Sequence, residues 1–523
     1  MATVVPLPSK RQRREDLERT QVQQDVTVIP PQEAGSFKAR FVDSDGHQMT
    51  DVVEIPLADA TERNISLLLN TLLQRDRDDH IPYRFRIQIP TPPYIIDTYP
   101  SPAEFLSVLR SHGIVNPFET TITLSAEPQS VFKVQAVNRL THRIPGHKQP
   151  ILTVQFSPAS SSRLATGSGD CTACIWDTET GTPKFTLKGH TGWVLGVNWS
   201  PDGERLATCS MDKTVRIWDP TTGKGIGDAF RGHVKPILMM AWEPYHLWRD
   251  GTARLASASS DATVRVWIVN TGRTEHVLSG HKGGVTCVRW GGGGKERTGL
   301  IFSASRDKTV RVWDAVKGTL VHSFASHAHQ VNHLALSTDF VLQTGFFEVR
   351  KEVPATDEEK RAKAKERFEK MAVQQGKLVE RLVSASEDCT MYLWDPLEGT
   401  QPLARMLGHQ KAVNHVVFSP DGTLIASCGW DNHVKIWSAR DGRFIKTLLG
   451  HVGPVYLAAF SADSRQLVSA SKDTTLKTWN MRTLKLATDL PGHEDEVYAV
   501  HWSPDGLRIG SGGKDKAVRL WMN

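Results

Sequence analysis

The chain has 523 residues, 39% hydrophobic and 23% charged, with a formal net charge of +6. That is more than one ordinary domain holds, in a composition typical of globular proteins. No apolar run approaches the roughly 18–20 residues of a membrane span, and the N-terminal MATVVPLPSKRQRRE lacks the apolar core of a secretory signal. Six cysteines in so long a chain do not make a disulfide framework, so a reducing compartment is expected. The charge is divided unevenly: residues 36–125 carry eight Lys and Arg against twelve Asp and Glu, and residues 126–523 carry fifty against forty. A modestly basic larger part suits work near nucleic acid, and the acidic smaller part offers a face to something else.

Residues 1–25 are polar and read as a disordered tail, with KRQRR (10–14) as a nuclear-localisation candidate. FKARFVD (37–43) and VVEIPL (52–57) alternate like a hairpin. DATERNISLLLNTLL (59–73) predicts a helix with Asp59 as cap, Glu62 three residues on, and Ile65, Leu68, Leu69, Leu72 and Leu73 at helical spacing. YRFRIQI (83–89) is a third strand, and SPAEFLSVLRSHG (101–113) a short helix with Ser101 as cap, Pro102 at its first position and Gly113 at its stop. In GIVNPFETTITL (113–124) the stiff turn Asn116-Pro117-Phe118 leads to one carboxylate, Glu119, and then into the strand TTITLSA (120–126). This order over about 90 residues resembles the ubiquitin-like β-grasp, and sets a domain at 26–128.

From there the chain repeats itself. GHTGWVLGVNWSPDGERLATCSMDKTVRIWD (189–219) and GHQKAVNHVVFSPDGTLIASCGWDNHVKIWS (408–438) match almost position by position. Gly-His recurs at 146, 189, 232, 280, 408, 450 and 492, and an eighth copy has Ser326-His327. Tryptophans 176, 218, 267, 313, 394, 437, 479 and 521 each follow an aspartate by six residues, and each aspartate follows a Ser or Thr by four. The repeats resemble the WD-repeat family, which implies an eight-bladed β-propeller over 131–523 built from four-stranded blades. In that family His, Ser/Thr, Asp and Trp form a buried structural tetrad, here His190, Thr208, Asp212 and Trp218, or His451, Ser469, Asp473 and Trp479. An active site is not repeated eight times, so these groups do not indicate a hydrolase. The last copy stops at its third strand, and residues 131–143 are expected to supply the fourth, closing the ring.

The fifth copy is stretched. TDEEKRAKAKERFEKMAVQQG (356–376), within an insertion at about 340–380, has a capping-box start at Thr356 and Glu359, a stop at Gly376 and too few apolar residues for a core-facing stripe. It reads as a solvated helix projecting from the propeller. GGGG (291–294) lacks a following GK[ST] and reads as a turn. Cys171 and Cys174 form a lone CxxC without a second pair, so two small buried side chains are expected rather than zinc. In WD-repeat proteins the residue before each repeat aspartate lies on the narrower top face, here including Arg306, Trp430, Lys472 and Lys514. Trp193, Tyr456 and Tyr498 are expected near the same face, where mixed aromatic and cationic side chains suit protein or RNA contacts.

A β-grasp domain followed by an eight-bladed propeller with a fifth-blade insertion resembles the Notchless family of ribosome-assembly WD proteins. The resemblance implies a non-enzymatic factor of the large (60S) ribosomal subunit in the nucleus and nucleolus. It would be a monomer within a large complex, its propeller anchored on the pre-60S particle, ribosomal RNA and other assembly factors. It implies that the ubiquitin-like domain is gripped by midasin, a dynein-related ATPase whose metal-site domain holds Mg²⁺ with one open position. The chain would need no cofactor of its own; Glu119 would share the partner's Mg²⁺. Asp97 and the cluster Asp76, Asp78 and Asp79 are the other carboxylates available. A ubiquitin-system adaptor and a Notch-pathway signalling scaffold are the alternatives.

Overall fold

The computed structural model describes residues 35–43, 47–73, 83–90, 93–96, 102–111, 118–128, 134, 137–249, 251–293, 298–348, 353–374 and 377–522. The tail with KRQRR, Asp76, Asp78, Asp79, Asp97, Ser101, Gly113 and Gly376 lie outside the described residues. The chain divides into two units, Met1–Lys133 and Val134–Asn523.

In the first unit the strands are β1 (Ser36–Val42), β2 (Val53–Pro56), β3 (Tyr83–Pro90), β4 (Pro93–Ile96) and β5 (Thr121–Pro128), in the order β2-β1-β5-β3-β4. β5 runs parallel to β1 (Lys38↔Thr121, Phe41↔Leu124) and antiparallel to β3, the β-grasp arrangement with its last strand in the middle. Period-two alternation buries Phe37, Ala39 and Phe41 of β1 on one face, where they meet Ile65 and Leu69 of the helix Glu62–Leu72 and Phe105 and Leu109 of the helix Pro102–Ser111. The first helix is capped by Thr61, whose hydroxyl accepts the Asn64 N–H at 3.2 Å. The expected cap, Asp59, instead ends a 3₁₀ turn (Leu57–Asp59), because the extended residue before the first helical turn is Thr61.

In the second unit eight antiparallel sheets form blades 1–8, numbered by their His residues; strands a to d run outward from the centre, except that blade 2 has strands a to c only, its outer segment being joined by the single bridges Val215↔Phe230 and Trp218↔Gly225. Strand a of each blade packs beside strand a of the next, and Val497–Trp502 of blade 8 packs beside Ile151–Phe156 of blade 1, so the ring closes. The closing strand is Arg139–Pro145, paired with Ala517–Met522; it starts eight residues later than the expected 131–143. Val134 and Val137 ahead of it are buried. Strand a bulges at its second residue in every blade, as at Val455/Leu457 and Val497/Ala499, which turns that residue out of the ladder.

The fifth-blade insertion does not project. Its helix, Asp357–Ala372, has the expected Thr356/Glu359 capping box, but buries Ala364, Phe368 and Ala372, a stripe one residue wide at spacing four. That stripe suffices because the loops joining strands a and b of neighbouring blades present aromatic partners. Phe368 stacks on His246 of blade 3 (4.8 Å between centroids), and Ala364 joins a cluster with Tyr245, Trp248 and Phe346. Arg367 donates to the Thr344 hydroxyl at 3.1 Å and to the Gly345 carbonyl. The turn at Gly345 lies against Pro201 of blade 2 and Met371 against Gly422 of blade 6, so the insertion spans one face from blade 2 to blade 6. The GGGG stretch bends there: Gly292 and Gly293 N–H donate at 3.1 and 3.0 Å to Glu380, a fully buried carboxylate that also accepts the Thr338 hydroxyl. A side chain at Gly291 or Gly293 would collide with that carboxylate. Cys174 is buried as expected, whereas Cys171 is half-buried at φ +65° in a tight turn.

Phe368→Ala is expected to cost about 3–5 kcal/mol of local stability. Hydrogen exchange would read this as faster exchange of amides 357–372 with blades 1 and 8 unchanged; equal exchange would mean that the stack with His246 contributes nothing.

Candidate functional site

The repeated polar residues meet in all eight blades. In blade 7, Trp479 Nε1 donates to Ser469 Oγ at 2.9 Å, Ser469 Oγ lies 2.8 Å from His451 Nε2, and His451 Nδ1 lies 2.7 Å from Asp473 Oδ2. In blade 2, Trp218, Thr208, His190 and Asp212 repeat this at 2.9, 2.8 and 2.8 Å. The tryptophan N–H occupies one hydroxyl lone pair, so the hydroxyl proton points to Nε2 and the imidazole carries its proton on Nδ1, toward the aspartate. Asp–His–Ser is also the order of a hydrolase triad. Here the hydroxyl is held by tryptophan and fully buried in each blade, so no substrate reaches it.

The aspartate does more than orient histidine. Oδ2 also accepts the N–H of the residue after the histidine, as from Val452 at 3.1 Å, and Oδ1 accepts the N–H two residues on, as from Thr475 at 3.0 Å. The residue between is left-handed in every blade: Cys171, Lys213, Ala262, Lys308, Cys389, Asn432, Thr474 and Lys516 all have φ between 64° and 73°. Such backbone costs about 1 kcal/mol or more per residue, and the carboxylate's hydrogen bonds offset it.

On the face formed by these turns, the bulged tyrosines complete a row across blades 6 to 8. Trp430 meets Tyr456 edge-on at 6.0 Å, and Tyr456 meets Tyr498 at 5.5 Å. Glu496, which sequence reasoning missed, accepts the Tyr456 hydroxyl at 2.9 Å and pairs with Lys472 at 3.6 Å; Lys514 pairs with Asp495 at 3.2 Å. Burial, then Glu496, pushes the Tyr456 phenol well above its usual range. The row is therefore aromatic, as expected, and the cations beside it are paired with carboxylates, so its charge is locally balanced. Trp193 and Arg306 stand apart on blades 2 and 4; Trp193 is half-exposed over Gly169, and Arg306 is exposed. Blades 5 and 6 use the bulged position differently: Asn332 and Asn414 donate to Val413 and Val455 carbonyls of the next blade.

In the first unit, Glu119 is exposed in the turn 118–120 that feeds β5. The preceding Phe118 ring lies where a side chain at Gly35 would collide with it, so the turn is packed onto the start of β1. The two neighbouring strands of β5 set the direction in which the chain leaves this corner. Among the described residues no group of three or more His, Cys, Asp or Glu side chains is placed to hold a metal.

Seven blades match the WD domain, G-beta repeat family, at residues 138–177, 181–219, 226–267, 272–314, 400–438, 442–480 and 484–522. The match passes over blade 5, where the insertion breaks the spacing. The chain is 70% identical over 447 residues to Ribosome assembly protein 4 of Chaetomium thermophilum, covering 85% of each. It is 48% identical over 451 residues to the Saccharomyces cerevisiae protein of the same name, covering 86% of this chain and 85% of that one. To Protein Notchless of Drosophila melanogaster it is 41% identical over 418 residues, 79% of each. The chain belongs to the Ribosome assembly protein 4/Notchless family of WD-repeat proteins.

In this family member the burial of the tetrads also predicts acid lability. Burial lowers the pKa of His147, His233, His281, His409 and His493 against the opposing pull of their aspartates. Burial raises Asp307, but hydrogen bonds from Thr309, the Lys282 N–H and His281 outweigh it and leave the carboxyl at about 2. Unfolded histidines take up protons as pH falls through their ordinary value of 6.5, which the folded ones resist, so stability falls from there downward. The aspartate contribution is intact above the ordinary 3.8 and is lost as pH falls from there toward the folded value. Thermal melts should therefore show a Tm declining below pH 6.5 and more steeply below 4; a flat profile from pH 7 to 5 would contradict neutral buried imidazoles. Asp473→Ala strips acceptors from His451 Nδ1 and from the Val452 and Thr475 amides. Val452 is exposed and water replaces the acceptor of its amide, so at about 1–3 kcal/mol per orphaned buried donor urea denaturation should register a loss of about 2 kcal/mol or more from His451 and Thr475.

Proposed function

We propose that this chain is a non-enzymatic assembly factor of the large ribosomal subunit. Its propeller anchors on the pre-60S particle, and its β-grasp unit is the handle through which midasin pulls. The observation that carries the reading is the 70% identity, across 85% of both chains, to a protein named for ribosome assembly. The work is nuclear and nucleolar. The chain contributes geometry and mechanical continuity rather than chemistry.

Glu119 supplies a carboxylate oxygen to the open coordination position of Mg²⁺ held by midasin. A hard cation favours a hard anionic oxygen, and an exposed side chain on a packed turn presents one with little loss of conformational freedom. The aromatic row Trp430–Tyr456–Tyr498 is the propeller's anchoring surface, and its balanced charge favours a protein over RNA as the group it covers.

Binding of the full chain to the metal-site domain of midasin should be lost on replacing Mg²⁺ with EDTA. It should weaken at least ~10-fold in Glu119→Asp, which keeps the charge but withdraws the oxygen by about 1.5 Å. Metal-dependent binding that survives Glu119→Asp would move the ligand to another carboxylate, and absence of binding would end the midasin reading. Separately, Tyr456→Ala should reduce cosedimentation with pre-60S particles severalfold while leaving midasin binding intact.

A further inference from the structure

The second unit begins at Val134, the first residue of the propeller unit reached by the chain leaving the first unit. Val134 is held on both sides of its backbone. Its N–H donates to Asp463 Oδ2 at 2.8 Å, and its carbonyl accepts from Gln466 Nε2 at 3.0 Å, both buried. Its side chain sits where Gly506 of blade 8 leaves room; a Cβ there would lie 2.2 Å from Val134 Cγ2. Asp463 is itself braced, with no exposed side-chain surface, accepting at Oδ1 from the Ser461 hydroxyl at 2.6 Å and the Arg465 N–H at 3.1 Å.

Blade 7 is modified to make this grip. The turns SPDG of blades 2, 6 and 8 (200–203, 419–422 and 503–506) become SADS at 461–464, and Gln466 stands where those blades have Arg205, Leu424 and Arg508. In blade 6 the equivalent carboxylate, Asp421, spends Oδ2 on its own Thr423 hydroxyl; in blade 7 that oxygen is given to Val134.

The strand that closes the ring begins just beyond Val134. The closing strand Arg139–Pro145 pairs with the last strand in antiparallel register, beginning with the Asn138 N–H on the Met522 carbonyl at 3.1 Å and the pair Met522↔Arg139. A pull arriving from residue 138 across the strands meets this ladder at its end and peels it one bond at a time. At Val134 the same pull must break two buried hydrogen bonds and extract a seated side chain together.

We propose that Val134, gripped by Asp463 and Gln466, is a mechanical stop that keeps a pull on the N-terminal unit from peeling the strand that closes the propeller. This rests on the reading of that unit as a force handle. Asp463 and Gln466 are positioning residues: they touch no partner and act through the backbone of Val134.

The test is optical-tweezers extension of the full chain between an N-terminal tag and a tag inserted after Thr400 in the outer turn of blade 5, without midasin. In the wild type, residues 134–145 are expected to release as one step of about 40 Å. In Asp463→Ala, and in Gln466→Met, which removes only the donor and leaves the turn intact, release at constant load is expected ~10- to 100-fold faster. Hydrogen exchange of Arg139–Pro145 without load should match the wild type in both. Unchanged release rates would overturn the proposal. Exchange that rises without load to the same degree would also overturn it, making the grip an ordinary fold contact. The measurement does not involve midasin, so failure of midasin binding would remove the proposed puller without altering this result.

Discussion

One carboxylate per blade organises this propeller. Through one oxygen it holds the turn between strands b and c in a left-handed conformation, and through the other it fastens the loop arriving from the previous blade and fixes a histidine proton. The histidine then orients a hydroxyl, and the hydroxyl a tryptophan at the blade's centre. The four groups are contributed by separate strands and loops, so each network joins pieces of chain that hydrophobic packing alone would leave in several near-equivalent arrangements. All eight networks are intact, including blade 5, where His327 and Asp388 lie 61 residues apart and still approach to 3.0 Å. That is why a large insertion is tolerated there: the ends are fixed by the tetrad, and the cost of a longer loop between them grows only slowly.

The two faces of the ring are used differently. The turns set by the aspartates carry the aromatic row on blades 6 to 8. The opposite face is largely occupied by the chain itself. The insertion runs over blades 2 to 6, anchored by Phe368 on His246 and by Arg367 on the Gly345 turn. Blades 7 and 8 receive Val134. Val134 and Tyr456 thus lie at opposite ends of the same blades.

Much of this was legible in one sequence because it is periodic. The spacing of His, Ser/Thr, Asp and Trp over eight copies carries the resemblance to WD repeats, and that resemblance implies eight blades in a ring. Local rules served where local chemistry decides, as in the Thr356/Glu359 capping box. They failed where a neighbour decides. Asp59 looked like a cap, but Thr61 had the extended backbone at the helix entrance. The insertion helix looked solvated because three buried side chains at spacing four make no stripe by themselves. Glu496 and Asp495, the acids paired with Lys472 and Lys514, were missed because nothing local in the sequence links them.

The sequence by itself determined the number of blades, the tetrads and the presence of a β-grasp unit with Glu119 at a corner. Each of these is encoded by short-range pattern: alternation, helical spacing, turn residues and a repeat. Tertiary structure decided what the insertion covers, which bulged residues gather into a surface, and where the chain enters the ring. Those depend on contacts between residues tens to hundreds of positions apart, such as Phe368 with His246 and Val134 with Asp463. No local periodicity records them, because their energy arises only when the ring brings the partners together.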